Sequence, residues 1–148
     1  MNRSWLLTLA VIFVGNASAC WAADIPKISD RHVFLRGTLT NSLYQFREKK
    51  TGHVAFIGGS ITQMNGYRPM VASWLANRFP KTNFEIVNAG ISSTCSTTGA
   101  FRLRSQVLEK GKIDLFFIEF AVNDDQDAGH AYRECVRGME GIIRQARM

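Results

Sequence analysis

The chain has 148 residues, 46% of them apolar and 20% charged, with a formal charge of +6 at neutral pH. That is enough sequence for one domain and too little for two, and the composition excludes disordered and fibrous classes. The basic residues are scattered, with no cationic run interleaved with aromatics, so no nucleic acid is expected as a partner and a solvated surface is the reading.

Residues 1–23, MNRSWLLTLAVIFVGNASACWAA, have a basic start at Arg3, an apolar stretch from Trp5 to Val14 and a small-residue tail. This is the layout of a secretory signal peptide, and the apolar stretch is too short for a stable membrane span. Cleavage is expected after Ala19 or near Ala22, which places the mature protein outside the cytoplasm, secreted or periplasmic. Lipid attachment at Cys20 ranks below simple export, because Ala17 stands where a lipobox has leucine. The domain proper then covers residues 24–148. Cys95 and Cys135 remain as a candidate disulfide in an oxidising compartment, which their separation in sequence does not decide. No C-x-x-C or His-x-x-x-His spacing points to a metal, and no cofactor is expected.

After an irregular lead-in, Leu39, Leu43 and Phe46 recur at helical spacing within 39–50, which ends in cations suited to a helix C-terminus. HVAFI (53–57) reads as a buried strand. Residues 66–79 place Tyr67, Met70, Val71, Trp74, Leu75 and Phe79 on one helical face, with Pro69 tolerable in the first turn. FEIVNAG (84–90) is a second strand. Residues 98–111 form a helix turning Ala100, Leu103, Val107 and Leu108 inward and stopping at Gly111. DLFFIEFAV (114–122) is a third strand, too continuously apolar to have one wet face. Residues 130–148 close with Tyr132, Cys135, Val136, Met139, Ile142 and Ile143 at helix period, weakened by Gly138 and Gly141. Alternating strands and helices imply a parallel sheet with right-handed crossovers, whose chemistry gathers beyond the carboxyl ends of the strands.

Ser60, Asn88–Gly90 and Asn123 each follow one of those strands, and so converge on one edge. A serine hydroxyl needs a base before it attacks, and an acyl-transfer transition state needs donors aimed at the oxyanion. Gly58 and Gly59 permit a sharp turn and close approach of a substrate to the Ser60 amide. Gly90 offers a bare main-chain N–H, and Asn123 a carboxamide. Ser60 also suits a helix N-cap, but the strand and paired glycines before it favour a nucleophile. Asn123 alone would equally close a turn with Asp124. Asp124, Asp125 and Asp127 are read as helix-start residues rather than metal ligands. Glu119 interrupts an apolar strand, and pairing with Arg102 or Arg104 is expected because a lone buried carboxylate is costly. Thr94, Ser96 and Thr97 either line a polar pocket or form a hydroxyl-rich loop.

FIGGSIT, NAGISSTCSTTGAFRL and FFIEFAVNDDQD resemble, in order, the first three conserved blocks of the SGNH hydrolases, or GDSL-type esterases, over residues 53–127. The resemblance implies a flavodoxin-like three-layer α/β/α sandwich, Ser60 as nucleophile, and Gly90 and Asn123 as oxyanion-hole residues. Gly59 replaces the family's aspartate and Ile61 its leucine. The fourth block, a histidine usually preceded by an aspartate three residues earlier, and two further strands have no counterpart before Met148, so a C-terminally truncated domain is expected. His53 opens the first strand at the end opposite Ser60, His32 lies in the lead-in, and His130 opens the last helix. None is a good base. The expectation is an exported ester hydrolase working through a Ser60 acyl-enzyme on a small-molecule or carbohydrate ester, inactive or nearly so as this chain stands. A non-catalytic ligand-binding module of the same fold is the alternative. A phosphate- or nucleotide-binding protein is a further one, weakened because the glycine turn lacks the lysine of a P-loop and the spacing of a dinucleotide fingerprint.

Overall fold

A computed structural model describes residues 33, 34, 36–127, 129 and 132–148. The leader at 1–23, His32 and His130 lie outside the described residues. The elements below all belong to the unit Gly37–Met148.

Helix α1, Thr40–Tyr44, runs on as a π-helical turn, Gln45–Lys49, and ends at Lys50 in a left-handed conformation, φ 59°. Strand β1 follows at Thr51–Gly58, and a single helical turn, α2, at Ser60–Gln63. Helix α3 spans Tyr67–Arg78, β2 Asn83–Gly90 and α4 Ser96–Gln106. A 3₁₀ turn, Leu108–Lys110, stops at Gly111, whose φ of 130° disfavours any side chain. Strand β3, Leu115–Glu119, a π-helical turn, Asn123–Asp127, and helix α5, Tyr132–Ala146, complete the chain.

The sheet has three parallel strands in the order β2-β1-β3, the pattern that begins a flavodoxin-like sheet. Alternation along β1 divides the core into two layers. Ala55 and Ile57 face Leu103, Val107 and Ile142 of the α4–α5 side, with Phe120 among them. Val54 and Phe56 face Phe46, Leu75 and Phe79 on the α1–α3 side, where Phe56 stacks on Phe117 with ring centroids 4.7 Å apart. Val54, Ala55, Phe56 and Ile57 are wholly buried. Each of the larger three contributes about 1.5–3 kcal/mol of transfer free energy. β3 is half-buried along its whole length.

The helix faces are narrower than expected. Leu75 of α3 and Phe79 just past its end are buried and Tyr67 and Val71 pack beside them, but Met70 and Trp74 are 72% and 59% exposed. Leu39, Tyr132, Val136 and Ile143 are likewise exposed. Periodicity locates an apolar stripe without saying how wide an arc the sheet covers, and here only its centre is covered.

Register matters most for function. Gly58 is paired with Gly90 on one side and with Glu119 on the other. The carboxyl ends of all three strands therefore stop level with one another.

Candidate active site

Two glycines let the chain turn at the end of β1. A methyl group on Gly58 would lie 2.0 Å from Thr62 Oγ1 and 2.4 Å from the Glu119 carbonyl, so α2 folds back directly over the strand end. Gly59 donates to the Glu119 carbonyl (3.3 Å), and its own carbonyl accepts from Gln63 N (3.0 Å). Ser60, half-buried, is the first residue of the α2 turn that these contacts fix.

The other two candidate residues abut the same segment. A methyl on Gly90 would lie 2.3 Å from Gln63 N and 2.6 Å from Thr62 C, which puts β2's last residue against the α2 backbone. The Gly90 N–H donates to Asn88 Oδ1 (3.0 Å). Asn123 is buried, and a methyl on Gly59 would lie 1.8 Å from its Oδ1. The carboxamide therefore rests on the residue immediately before Ser60. Gly90 and Asn123 thus both abut the stretch Gly58–Gln63, which carries Ser60.

Neighbouring groups hold this arrangement. Asp124, in the first turn of the Asn123–Asp127 segment as expected, also accepts from the buried Ser96 N–H (2.8 Å) and so caps α4. Cys95 Sγ donates to the Asn123 carbonyl (3.5 Å). No disulfide joins Cys95 to Cys135, and burial together with the neighbouring Asp124 pushes the Cys135 thiol upward.

Glu119 departs from expectation. Arg104 pairs with Glu109 instead (3.2 Å), and Arg102 spends its bonds on carbonyls, a hydroxyl and an amide. Glu119 Oε2 instead accepts from Thr62 Oγ1 (3.5 Å) and Oε1 from Ala121 N (3.0 Å). The Thr62 hydroxyl in turn shares a hydrogen bond with Tyr67 (3.0 Å). Burial raises the Tyr67 phenol above its ordinary value. The carboxylate thereby ties α2 to the segment leading to Asn123. The interruption of an apolar strand by a charge was the visible signal; its partners were not readable.

His53 lies toward the other end of β1, where its Nε2 meets Glu85 (3.2 Å) and its N–H donates to Asp114 (3.0 Å). Among the described residues no group of three or more His, Cys, Asp or Glu could hold a metal ion, and no helix is long and apolar enough to cross a membrane.

Two solved structures of a two-domain esterase active on acetylated mannans are similar to this chain. One, co-crystallized with mannopentaose, is 32% identical over 70% of this chain, with a TM-score of 0.58; the other is 34% identical over 69%, with a TM-score of 0.54. The chain has the fold of the SGNH hydrolases. The esterase AlinE4, 23% identical over 66% of the chain with a TM-score of 0.56, shares that fold. The chain spans 29% and 30% of the length of the two mannan-active chains and 53% of AlinE4. No protein-family model and no curated protein sequence matches it.

Proposed function

We propose that this chain is the N-terminal part of an exported serine esterase that removes acyl groups, acetyl foremost, from a carbohydrate. The observation that carries the reading is the level register of the three strand ends, which gathers Ser60, Gly90 and Asn123 around Gly58–Gln63. The mannan-active esterases support the substrate class.

In this reaction Ser60 Oγ forms a bond to the ester carbonyl carbon while its proton passes to a general base. The carbonyl π electrons move onto oxygen, and the oxyanion is met by the amides of Ser60 and Gly90 and by the Asn123 carboxamide. Collapse breaks the bond to the sugar oxygen, which leaves with the proton. Water then attacks the acyl-enzyme by the same route, releasing the acid and restoring Ser60. The base this reading requires is a histidine, and among the described residues the only one, His53, lies toward the other end of β1 from Ser60. Without the base, binding and the oxyanion donors alone would retain about 10³–10⁴-fold acceleration over water, as in serine proteases stripped of their triad.

The test is hydrolysis of p-nitrophenyl acetate and of acetylated mannan by the full-length protein and its Ser60→Ala variant. Release of acetate that depends on Ser60 is expected. Equal rates for the two proteins would remove Ser60 from the chemistry.

A further inference from the structure

Arg102 projects from α4 to the strand ends without an ion-pair partner among the described residues. Its Nη1 donates to the Ala89 carbonyl (2.5 Å) and to Gln106 Oε1 (2.6 Å). Its Nη2 donates to the Gly58 carbonyl (2.8 Å) and to Thr94 Oγ1 (3.3 Å). The guanidinium also lies over the Phe120 ring, 5.9 Å from its centroid. One side chain therefore grips the last carbonyl of β1 and the penultimate carbonyl of β2.

The second of these contacts has a chemical consequence. The Ala89 carbonyl and the Gly90 N–H belong to a single planar peptide, and the described chain contains no cis bond, so they point in opposite directions. Fixing the oxygen fixes the direction of the N–H. A cationic donor on the oxygen also polarises the amide and makes its hydrogen a better donor. Asn88, whose Oδ1 now accepts from that N–H, is an exposed side chain, free to yield the position to a substrate oxygen. Once it has left, Arg102 still holds the peptide from behind.

We propose that Arg102 is the positioning residue of the oxyanion hole, locking and polarising the Ala89–Gly90 peptide so that the Gly90 N–H meets the developing oxyanion. This rests on the reading of Ser60 as an esterase nucleophile. The planar fork suits the task because it spans two carbonyls on adjacent strands at once, which a lysine ammonium on its flexible stem does not do.

The experiment compares wild-type, Arg102→Gln, Arg102→Lys and Ser60→Ala full-length proteins with p-nitrophenyl acetate, and measures inhibition by phenylboronic acid, which forms a tetrahedral adduct on a serine. Loss of a whole oxyanion donor costs about 10²–10³-fold in kcat, and a loosened one should cost about 10–100-fold. Arg102→Gln should show that loss with KM within about twofold, and phenylboronic acid binding should weaken in parallel. Arg102→Lys should recover part of kcat. A purely structural role would lower the melting temperature while leaving kcat per folded molecule intact. If Ser60→Ala abolishes turnover but Arg102→Gln keeps kcat within twofold, the proposal is overturned. Should Ser60→Ala retain wild-type activity, the esterase reading falls and takes this one with it. If neither Arg102 variant folds, Gln106→Met decides, because it removes only the acceptor steadying Nη1. A kcat loss of about threefold or more at unchanged KM supports the proposal, and an unchanged kcat overturns it.

Discussion

Gly138 and Gly141 sit three residues apart in α5, and helix propensity alone says that alanine at either should stabilise by about 1 kcal/mol. Their surroundings separate them. A methyl on Gly138 would lie 2.1 Å from Ser96 Oγ, 2.5 Å from Thr97 N and 2.6 Å from Ser96 C, so it meets the backbone at the start of α4. Backbone cannot rotate aside. To restore a normal separation of about 3.5 Å, α5 must withdraw by about 1 Å, pulling the wholly buried Ile142 away from Leu103 and Phe120. Overpacking of this kind costs about 1–3 kcal/mol, outweighing the propensity gain. At Gly141 the methyl would meet only Ala100 Cβ, at 3.3 Å, which asks for a few tenths of an ångström. Gly138→Ala should therefore be less stable than wild type, and Gly141→Ala equal to it or better by up to about 1 kcal/mol. Urea denaturation followed by circular dichroism at 222 nm measures both. Gly138→Ala proving as stable as Gly141→Ala would refute the close approach of the two helices.

Three further outcomes are expected. Gly90→Ala places a methyl 2.3 Å from Gln63 N and must displace α2 with its serine; a misplacement of about 1 Å costs on the order of 10²-fold, read in kcat against p-nitrophenyl acetate. Asp124→Ala leaves the buried Ser96 N–H without its acceptor and should cost about 1–3 kcal/mol in the same urea titration. Burial raises the Tyr67 phenol in the folded state, so the unfolded chain loses that proton first as pH climbs. Its stabilising contribution is then complete below the ordinary tyrosine value of about 10 and declines as pH rises through the folded value. Melts from pH 8 to pH 11 should show wild type losing more stability than Tyr67→Phe.

The order of strands and helices was readable because β1 carries an unbroken apolar run, Val54–Ile57, and the helices carry recurring apolar positions. Convergence of Ser60, Gly90 and Asn123 on the strand ends followed from topology once the sheet was parallel. What escaped depended on neighbours distant in sequence. Met70 and Trp74 share a stripe with Leu75, yet the sheet covers only part of it. The α2 turn is too short to leave a period. Glu119 was conspicuous as a charge in a strand, but its partners Thr62 and Ala121 arise from the fold-back at Gly58, and Arg102's attachment to two carbonyls leaves no complementary charge to find.

The alignment of Gly58 with Gly90 and Glu119 makes the sheet a gauge for the chemistry. A shift of β2 by a single position would carry Gly90 about 3.3 Å along the strand and turn every side chain to the opposite face. Insertions and deletions should thus be tolerated very unevenly. The connections entering β1 and β2 at their amino ends can lengthen without touching the alignment, while a residue gained or lost between Gly58 and Ser60, or between Glu119 and Asn123, would leave a folded protein whose donors no longer meet.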